Sequence, residues 1–452
     1  MCRFFIALFF FGALPSNGLI FWNAEDPPAN KETAPTGAYE NSGWQHLISF
    51  KDFHGTMISP KHFITAKHLG EAGIVTRPSY FSGEPGQTFT VKPASRLIIE
   101  DGAISTDLSI FEIWETFPSY APLYSNTNEP GKEFVITGKG RGRGNELTRN
   151  SQVIGWEWGD VTTEADRWGV SDVLSTSTAS SGADLIYSQF DANGGPFECQ
   201  ATGNDSGGGW FIKDGSTWKL AAVTFSADSN RDSNNTVGDD SNFRAAMTKA
   251  RGFYIGSDTD GWNFIPTSNL QYLNPPSYQT NKDDARFYDK THSYGTRISS
   301  YLSEINLLIQ PAITHAALNP SDRFQAWLSG HGLTANNQPG DDADEDGISN
   351  LLEYYSDSDA GDFSEANSPF SASLQSNGEM QFTLTESLDL SGRALTSVIQ
   401  KSNDLENWSN LTTVNEESNN LDEASGTRTR ILSHSPGSAT EIFYRLKVSL
   451  EN

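Results

Sequence analysis

The stretch from Cys199 to Phe211, CQATGNDSGGGWF, sets Ser206 between an aspartate and three glycines. A serine hydroxyl is a poor nucleophile near neutral pH. Acyl transfer therefore needs a base within hydrogen-bond reach, a group to orient that base, and donors for the developing oxyanion. Two other segments offer those residue types. SPKHFITAKHLG places His68 just after an apolar run, and STDLSIFEIW places Asp107 just before one, at the start of a strand where a carboxylate can be buried against an imidazole. Each is ordinary alone. Loops rich in Gly, Asn, Asp and Ser are the usual way to reverse a chain, a histidine after a strand is commonly a surface or packed residue, and an aspartate before a strand is a common turn residue.

A second cluster suggests metal chemistry. DDADEDGISNLLEYY has Asp342, Asp344 and Asp346, then Gly347, Asn350 and Glu353, in the pattern D-x-D-x-D-G-x-x-N-x-x-E. Calcium takes about six to eight oxygen ligands, and three carboxylates, the carbonyl of Ile348, Asn350 and a bidentate Glu353 would supply them. The competing reading is a solvated acidic linker. The apolar residue at Ile348, one place earlier than in EF-hands, makes the loop resemble dockerin or thrombospondin type 3 loops more than a sensor. The expectation is a structural calcium that clamps neighbouring domains, and no cofactor for catalysis.

The elements that must position these residues are mostly short strands. From Trp44 to Leu220 apolar runs such as HFITA, SRLIIE, LSIFEIW and EFVITGKG, continuing into WKLAAVTF, alternate with turn residues, which predicts an all-β barrel or sandwich. Ile298, Tyr301, Leu302, Ile305 and Leu308 recur at three- and four-residue steps ahead of Pro311, predicting an amphipathic helix that closes this part of the chain. Residues 226–293 read as a surface insertion with a short helix at FRAAMTKARGF. SDRFQAWLSGHG predicts another helix with Ser321 as N-cap, and the segments MQFTLTES, ALTSVIQKS, TRTRILSHS and IFYRLKVSL predict a smaller C-terminal β-sandwich.

The order His, Asp, Ser and the wording FITAKH, TDLSIFEI and NDSGGG resemble the three signatures of the chymotrypsin/trypsin-like serine proteases, usually T-A-A-H-C, D-I-A-L and G-D-S-G-G-P. The resemblance runs from about Gly43 to Pro311 and implies a two-barrel domain with a closing C-terminal helix. It implies Ser206 as nucleophile, His68 as general base and acid, Asp107 as the group orienting His68, and the backbone N–H groups of Asn204 and Ser206 as oxyanion hole. Protein or peptide substrates follow from it. Asn204 stands where the family has glycine, a place that asparagine tolerates better than most residues if the backbone is left-handed. Leu69 replaces the cysteine after the histidine, and no IVGG-like start precedes the first strand. Asp205, which in many animal members pairs with a newly cut N-terminus, must therefore find another partner, and an enzyme preorganised without cleavage is expected. The specificity pocket falls at Cys199 or Gln200 for its base and at Thr224, Phe225 and Ser226 for its wall. Neither base candidate is an acid, so a preference for Arg or Lys is not expected.

Bulk properties narrow the setting. At 452 residues the chain suggests two or three domains. We divide it into a signal peptide (1–18), an N-terminal extension (19–42), the protease-like domain (43–312), a helical linker with the calcium loop (313–367) and the sandwich (368–452). MCRFFIALFFFGALPSNG has a positive start, an apolar run too short to span a bilayer, and small residues at a cleavage position, so the protein is expected to be secreted or periplasmic and not membrane-spanning. Removal of Cys2 leaves Cys199 without an intramolecular partner. A net charge of −26 disfavours nucleic acid and anionic membranes. A zinc hydrolase lacks an H-E-x-x-H cluster. The rival from another class is a catalytically inactive, protease-like adhesin or binding module stiffened by calcium, with Trp408 and Tyr444 either on a glycan- or surface-binding face or in the core.

Overall fold

The computed structural model describes residues 18–23, 30–149, 151–159, 165–228, 244–248, 252–257, 261–266, 290–333, 337–365, 368–437 and 441–451. All but Gly18 of the segment read as a signal peptide (1–18) and most of the 226–293 insertion lie outside them. Two curled antiparallel sheets of seven strands each carry the first part of the chain. The first contains β1 (Leu47–Phe50), β2 (Phe53–Met57), β3 (His62–Ala66), β4 (Ile74–Arg77), β5 (Gln87–Thr90), β6 (Leu97–Asp101) and β7 (Ile104–Glu112), in the order β5-β4-β1-β2-β3-β7-β6. It closes where Val91 bridges Ile113 and the Lys92 and Trp114 N–H groups bond the carbonyls of Glu112 and Thr90. Ile48, Phe50, Phe63, Val75, Phe89 and Phe111 fill its interior.

The second sheet contains β8 (Glu133–Gly138), β9 (Arg167–Asp172), β10 (Ser175–Thr178), β11 (Asp184–Gln189), β12 (Gly209–Asp214), β13 (Thr217–Ala227) and β14 (His292–Arg297), in the order β9-β8-β12-β13-β14-β11-β10. Val173 and Leu174 carry the chain directly from one edge strand to the other, bonding Lys132 and Tyr187 on the way, so this sheet also curls shut. Phe134 stacks on Trp210 inside it with ring centroids 4.2 Å apart. Leu47, Ile64 and Leu108 of the first barrel share one core with Val135, Phe211 and Val223 of the second. The two-barrel all-β architecture expected from the sequence is present.

Helix α1 (Leu302–Ala316) closes this unit by burying Ile305 and Ile309 in that shared core. It does not stop before Pro311 as the periodicity suggested. Proline removes one hydrogen bond to the carbonyl of Leu307, and Leu307 is 78% exposed, so water can serve that carbonyl instead. Helix α2 (Pro320–Gly330) is capped by Asn319, whose Oδ1 accepts the Asp322 N–H at 2.9 Å, and not by Ser321. Pro320, favoured in the first turn, fixes this start. The short helix read into FRAAMTKARGF is not formed by its described residues. Ala245–Met247 is a fully buried strand paired with residues 155–157, and Gly252–Ser257 pairs with Gly261–Pro266.

Helix α3 (Asn350–Ser356) follows the acidic loop, and α2, α3 and the C-terminal strands share a core of Phe324, Leu328, Tyr354, Tyr355 and Leu395. The last part is two antiparallel sheets: β15 (Phe370–Leu374), β16 (Met380–Ser387), β20 (Thr427–His434) and β19 (Asn415–Asp422) face β18 (Ser409–Asn410), β17 (Leu395–Ser402) and β21 (Phe443–Leu450). Phe382, Leu384, Ile399, Leu411 and Leu432 lie between them, so the sandwich is formed where the alternating runs placed it. Tyr444 belongs to this core, edge-on to Phe382 at 5.0 Å, and Trp408 is covered by the Arg445 guanidinium at 4.1 Å. No helix among the described residues is long and apolar enough to cross a membrane.

Candidate active site

His68 leaves the end of β3 in a tight turn, and Asp107 sits inside β7, three residues after the strand begins and not at its start. β3 and β7 are neighbours in register, with Ala66 opposite Leu108, so both side chains emerge at one end of the same strand pair. Ser206 comes from the other barrel, in the turn before β12. His68 Nδ1 lies 2.7 Å from Asp107 Oδ2, and the His68 N–H donates to Asp107 Oδ1 at 3.0 Å. His68 Nε2 lies 2.9 Å from Ser206 Oγ. A hydroxyl in that position can pass its proton to the imidazole, and a carboxylate on the opposite ring nitrogen favours the tautomer that receives it.

The nucleophile turn is built from close approaches that only glycine allows. Gly207 has φ +82°, and a Cβ there would lie 2.2 Å from the carbonyl oxygen of His54; at Gly208 it would lie 1.9 Å from that of Thr137. Gly207 N–H instead bonds the carbonyl of Thr224, and Thr224 N–H bonds that of Gly208. Asn204 has φ +76°, the left-handed conformation that glycine would adopt most cheaply. The oxyanion-hole candidates Asn204 and Ser206 thus flank Asp205 in one turn.

Asp205 is almost fully buried and is held from two sides. Gly140 N–H donates to Oδ1 at 2.6 Å, and the Thr202 N–H and hydroxyl donate to Oδ2 at 2.7 and 3.1 Å. Burial pushes its pKa up to about 6, against the pull of the Thr202 and Gly140 hydrogen bonds. The partner that the sequence left open is therefore a glycine turn after β8, where a side chain on Gly140 would strike the carbonyl of Gly203 at 2.4 Å. The doublet GKG at 138–140 was the available signal.

The four residues assigned to a specificity pocket separate by exposure. Gln200 is buried, receives the Thr291 hydroxyl, and reaches the Asp228 carbonyl at 3.4 Å. Thr224 is also buried; its hydroxyl accepts from Trp210 Nε1 at 2.9 Å and donates to Gly208 O at 3.0 Å. Phe225 and Ser226 are half-buried on β13. Beside them stands a pair that sequence reasoning missed, His292 Nδ1 and Asp228 Oδ2 at 2.7 Å, joined only because β13 and β14 are neighbours. Another missed pair is His54 Nε2 with Asp166 Oδ1 at 2.7 Å, where Tyr80 donates to the second carboxylate oxygen. Burial works against that carboxylate, but His54 and Tyr80 outweigh it and hold the Asp166 pKa below its usual value. Cys199 is buried and unbridged, and burial pushes its thiol pKa well up.

In the acidic loop Asp342, Asp344 and Asp346 each place a carboxylate oxygen within 4.8 Å of the other two. Gly347, at φ +94°, turns the chain so that its N–H bonds Asp342 at 2.9 Å. Asn350 is turned inward, accepting the Ala343 N–H at 3.3 Å, and so braces the loop. Glu353 is 1% exposed, and its Oε2 has no hydrogen-bond partner among the described residues, like Asp344 Oδ2. Burial, then the charges of Asp344, Asp346 and Asp342, push the Glu353 pKa up to about 7. An all-oxygen set with an uncompensated buried carboxylate fits a hard divalent cation.

No protein-family model matches the sequence. No curated protein matches it either. Among solved structures the chain is similar to neuropsin, a serine protease expressed in the limbic system of mouse brain, at 12% identity over 62% of this chain and 98% of that one, with a TM-score of 0.35.

Proposed function

We propose that the protein is an exported serine endopeptidase that hydrolyses peptide bonds through an acyl-enzyme. The observation that carries this reading is the continuous hydrogen-bonded line Asp107–His68–Ser206 across the junction of the two barrels. Ser206 attacks the scissile carbonyl as His68 takes its proton, and Asp107 stabilises the imidazolium that forms. The Asn204 and Ser206 N–H groups receive the oxyanion. His68 then returns the proton to the leaving amine, and water repeats the sequence on the acyl-enzyme. Asp205, fixed by Gly140 and Thr202, holds the turn without needing a newly cut terminus.

The same proposal includes a structural calcium held by Asp342, Asp344, Asp346 and Glu353, with the Ile348 carbonyl. The buried, unpartnered Glu353 Oε2 supports it more than the acidic composition does. Substrate preference at the residue before the cut is expected to be non-basic, since Gln200 and not an acid stands at the candidate pocket base.

The test is labelling of the purified protein with a fluorophosphonate probe. Ser206→Ala and His68→Ala should each abolish labelling, and peptide hydrolysis should fall by roughly 10⁴- to 10⁶-fold. A wild-type protein that stays unlabelled with calcium present would overturn the enzymatic reading. Rates on peptides differing only before the cut would then define the preference.

A further inference from the structure

The two candidate sites are physically joined. β3 and β7 present His68 and Asp107 at one end; at the other end, roughly 17–20 Å away for strands of this length, they carry Lys61, Trp114, Glu115 and Thr116. Polar contacts between the first barrel and the C-terminal sandwich fall there. Lys61 Nζ donates to the carbonyls of Trp114 and Glu115 at 2.6 and 3.0 Å and to Asp389 Oδ2 at 2.5 Å. Thr116 Oγ1 donates to Asp389 Oδ1 at 2.7 Å, and Trp114 Nε1 donates to the carbonyl of Glu423 at 2.8 Å. A side chain on Gly392 would strike Thr116 Oγ1 at 2.1 Å, so the fit is close at this point.

Asp389 lies in a turn between β16 and β17 that the helix after the acidic loop contacts from the other side. Arg393, in the same turn, donates its N–H to the Asp389 carbonyl at 2.9 Å. Its guanidinium donates to the Tyr354 carbonyl and to Asp357, and its Cζ lies 4.8 Å from the centroid of the Tyr354 ring. Tyr354 follows Glu353 directly, and Asp357 caps the same short helix. Arg323 of α2 adds a bond to the Gly392 carbonyl at 2.8 Å. Around these contacts the joint is open: a cleft of about 940 Å³ lies between α1 and the turn, bordered by Lys61, Thr116, His315, Arg323 and Asp389. A joint held by a few polar contacts beside a cleft can part without unpacking either core.

The geometry points to Lys61 and Asp389 as positioning residues that transmit occupancy of the calcium loop to the strand pair carrying His68 and Asp107. This rests on the calcium reading above. With calcium bound, Glu353 and the three aspartates fix the start of α3, Arg393 is held by its Tyr354 and Asp357 partners, and Asp389 locks Lys61 and Thr116. Without calcium, repulsion among four carboxylates loosens α3, and the lock on the far end of β3 and β7 weakens with it.

The experiment is hydrogen exchange of the full chain with calcium or with chelator, read separately on peptides covering 341–357, 388–394 and 58–69, beside the rate of fluorophosphonate labelling. Chelation should speed exchange in all three segments and slow labelling several-fold. In Lys61→Met/Asp389→Asn, which removes both charges and leaves an acceptor for Thr116, calcium should still protect 341–357 but no longer 58–69, and labelling should become indifferent to calcium. Near-UV circular dichroism checks that this variant is folded; if it is not, Arg393→Met replaces it with the same expectation. Chelation that opens 341–357 alone in the wild type overturns the coupling while leaving calcium binding intact. If titration calorimetry finds no calcium binding and no segment responds, the calcium reading fails and the inference with it. The exchange readout stands whether or not Ser206 reacts.

Discussion

The nucleophile turn and the acidic loop are both acidic turns that depend on glycine, yet they treat their carboxylates in opposite ways. Asp205 is buried with three donors drawn from its own chain, so the protein itself completes the site. Glu353 is equally buried, but one of its oxygens meets nothing and its neighbours are other carboxylates. A turn of the first kind is finished when the chain folds; one of the second kind leaves a buried carboxylate oxygen open, which the proposed calcium would fill. The difference shows that burial of an acid identifies a built site only when its partners are counted as well.

The strongest attempt to break this comparison is Gly207→Ala. The left-handed φ and the 2.2 Å approach to His54 leave no room for a methyl group, so the turn must shift. Fluorophosphonate labelling should be lost, together with about 3 kcal/mol or more of stability in urea unfolding. Retention of both would show that the turn is not preorganised as described.

Next, the two acids should respond with opposite signs. Asp205→Ala strands the buried N–H groups of Gly140 and Thr202 and should cost about 3 kcal/mol whether or not calcium is present. Glu353→Gln should leave the calcium-free protein as stable as before, or more so, because it relieves repulsion, while weakening calcium binding about 10- to 100-fold by calorimetry. A loss of similar size from both variants in chelator would remove the distinction. Calcium at a hundred times its Kd should in turn stabilise the chain by about 2.7 kcal/mol, seen as a higher Tm of the C-terminal part. A melt unaffected by chelator would place the acidic loop with the linkers.

The smallest expected effect concerns Glu198, a buried acid of mixed character that accepts the Asp191 N–H at 3.0 Å yet has its pKa pushed up to about 9, chiefly by burial. Between the ordinary carboxylate value and 9 the folded state keeps a proton that the unfolded state has released. This contribution to stability is therefore complete at low pH and declines as pH rises through that window. Glu198→Gln should raise the Tm by a few degrees at pH 8 and leave it unchanged at pH 4. An equal shift at both values would mean that packing and not ionisation sets the effect.

Much of this was legible in the sequence because the signals were local. FITAKH and NDSGGG each hold a residue beside a strand end, TDLSIFEI holds one within a strand, and strand alternation in MQFTLTES or IFYRLKVSL survives folding unchanged. What was illegible depended on partners distant in the chain. Ala245, Ala246 and Met247 have helical propensity, but a strand at 155–157 offered pairing and full burial, and tertiary contact overrode propensity. Pro311 looked like a stop because nothing local reveals that Leu307 would face water. Asn319 and Ser321 are both good caps, and Pro320 between them decides for the first. The bond from Gly140 to Asp205, and that from Lys61 to Asp389, join residues that no window of sequence shows together.

The short pairing of Ile20 and Phe21 with Gln200 and Cys199 has a consequence for how the chain comes together. Leu19, Ile20 and Phe21 are wholly inaccessible in the finished molecule, but their covering strand is made some 180 residues later. Until then three large apolar side chains lack part of their native cover, and loop closure of that length is slow. Truncated chains ending before residue 199 should accordingly be sticky and degradation-prone even where the first barrel is complete.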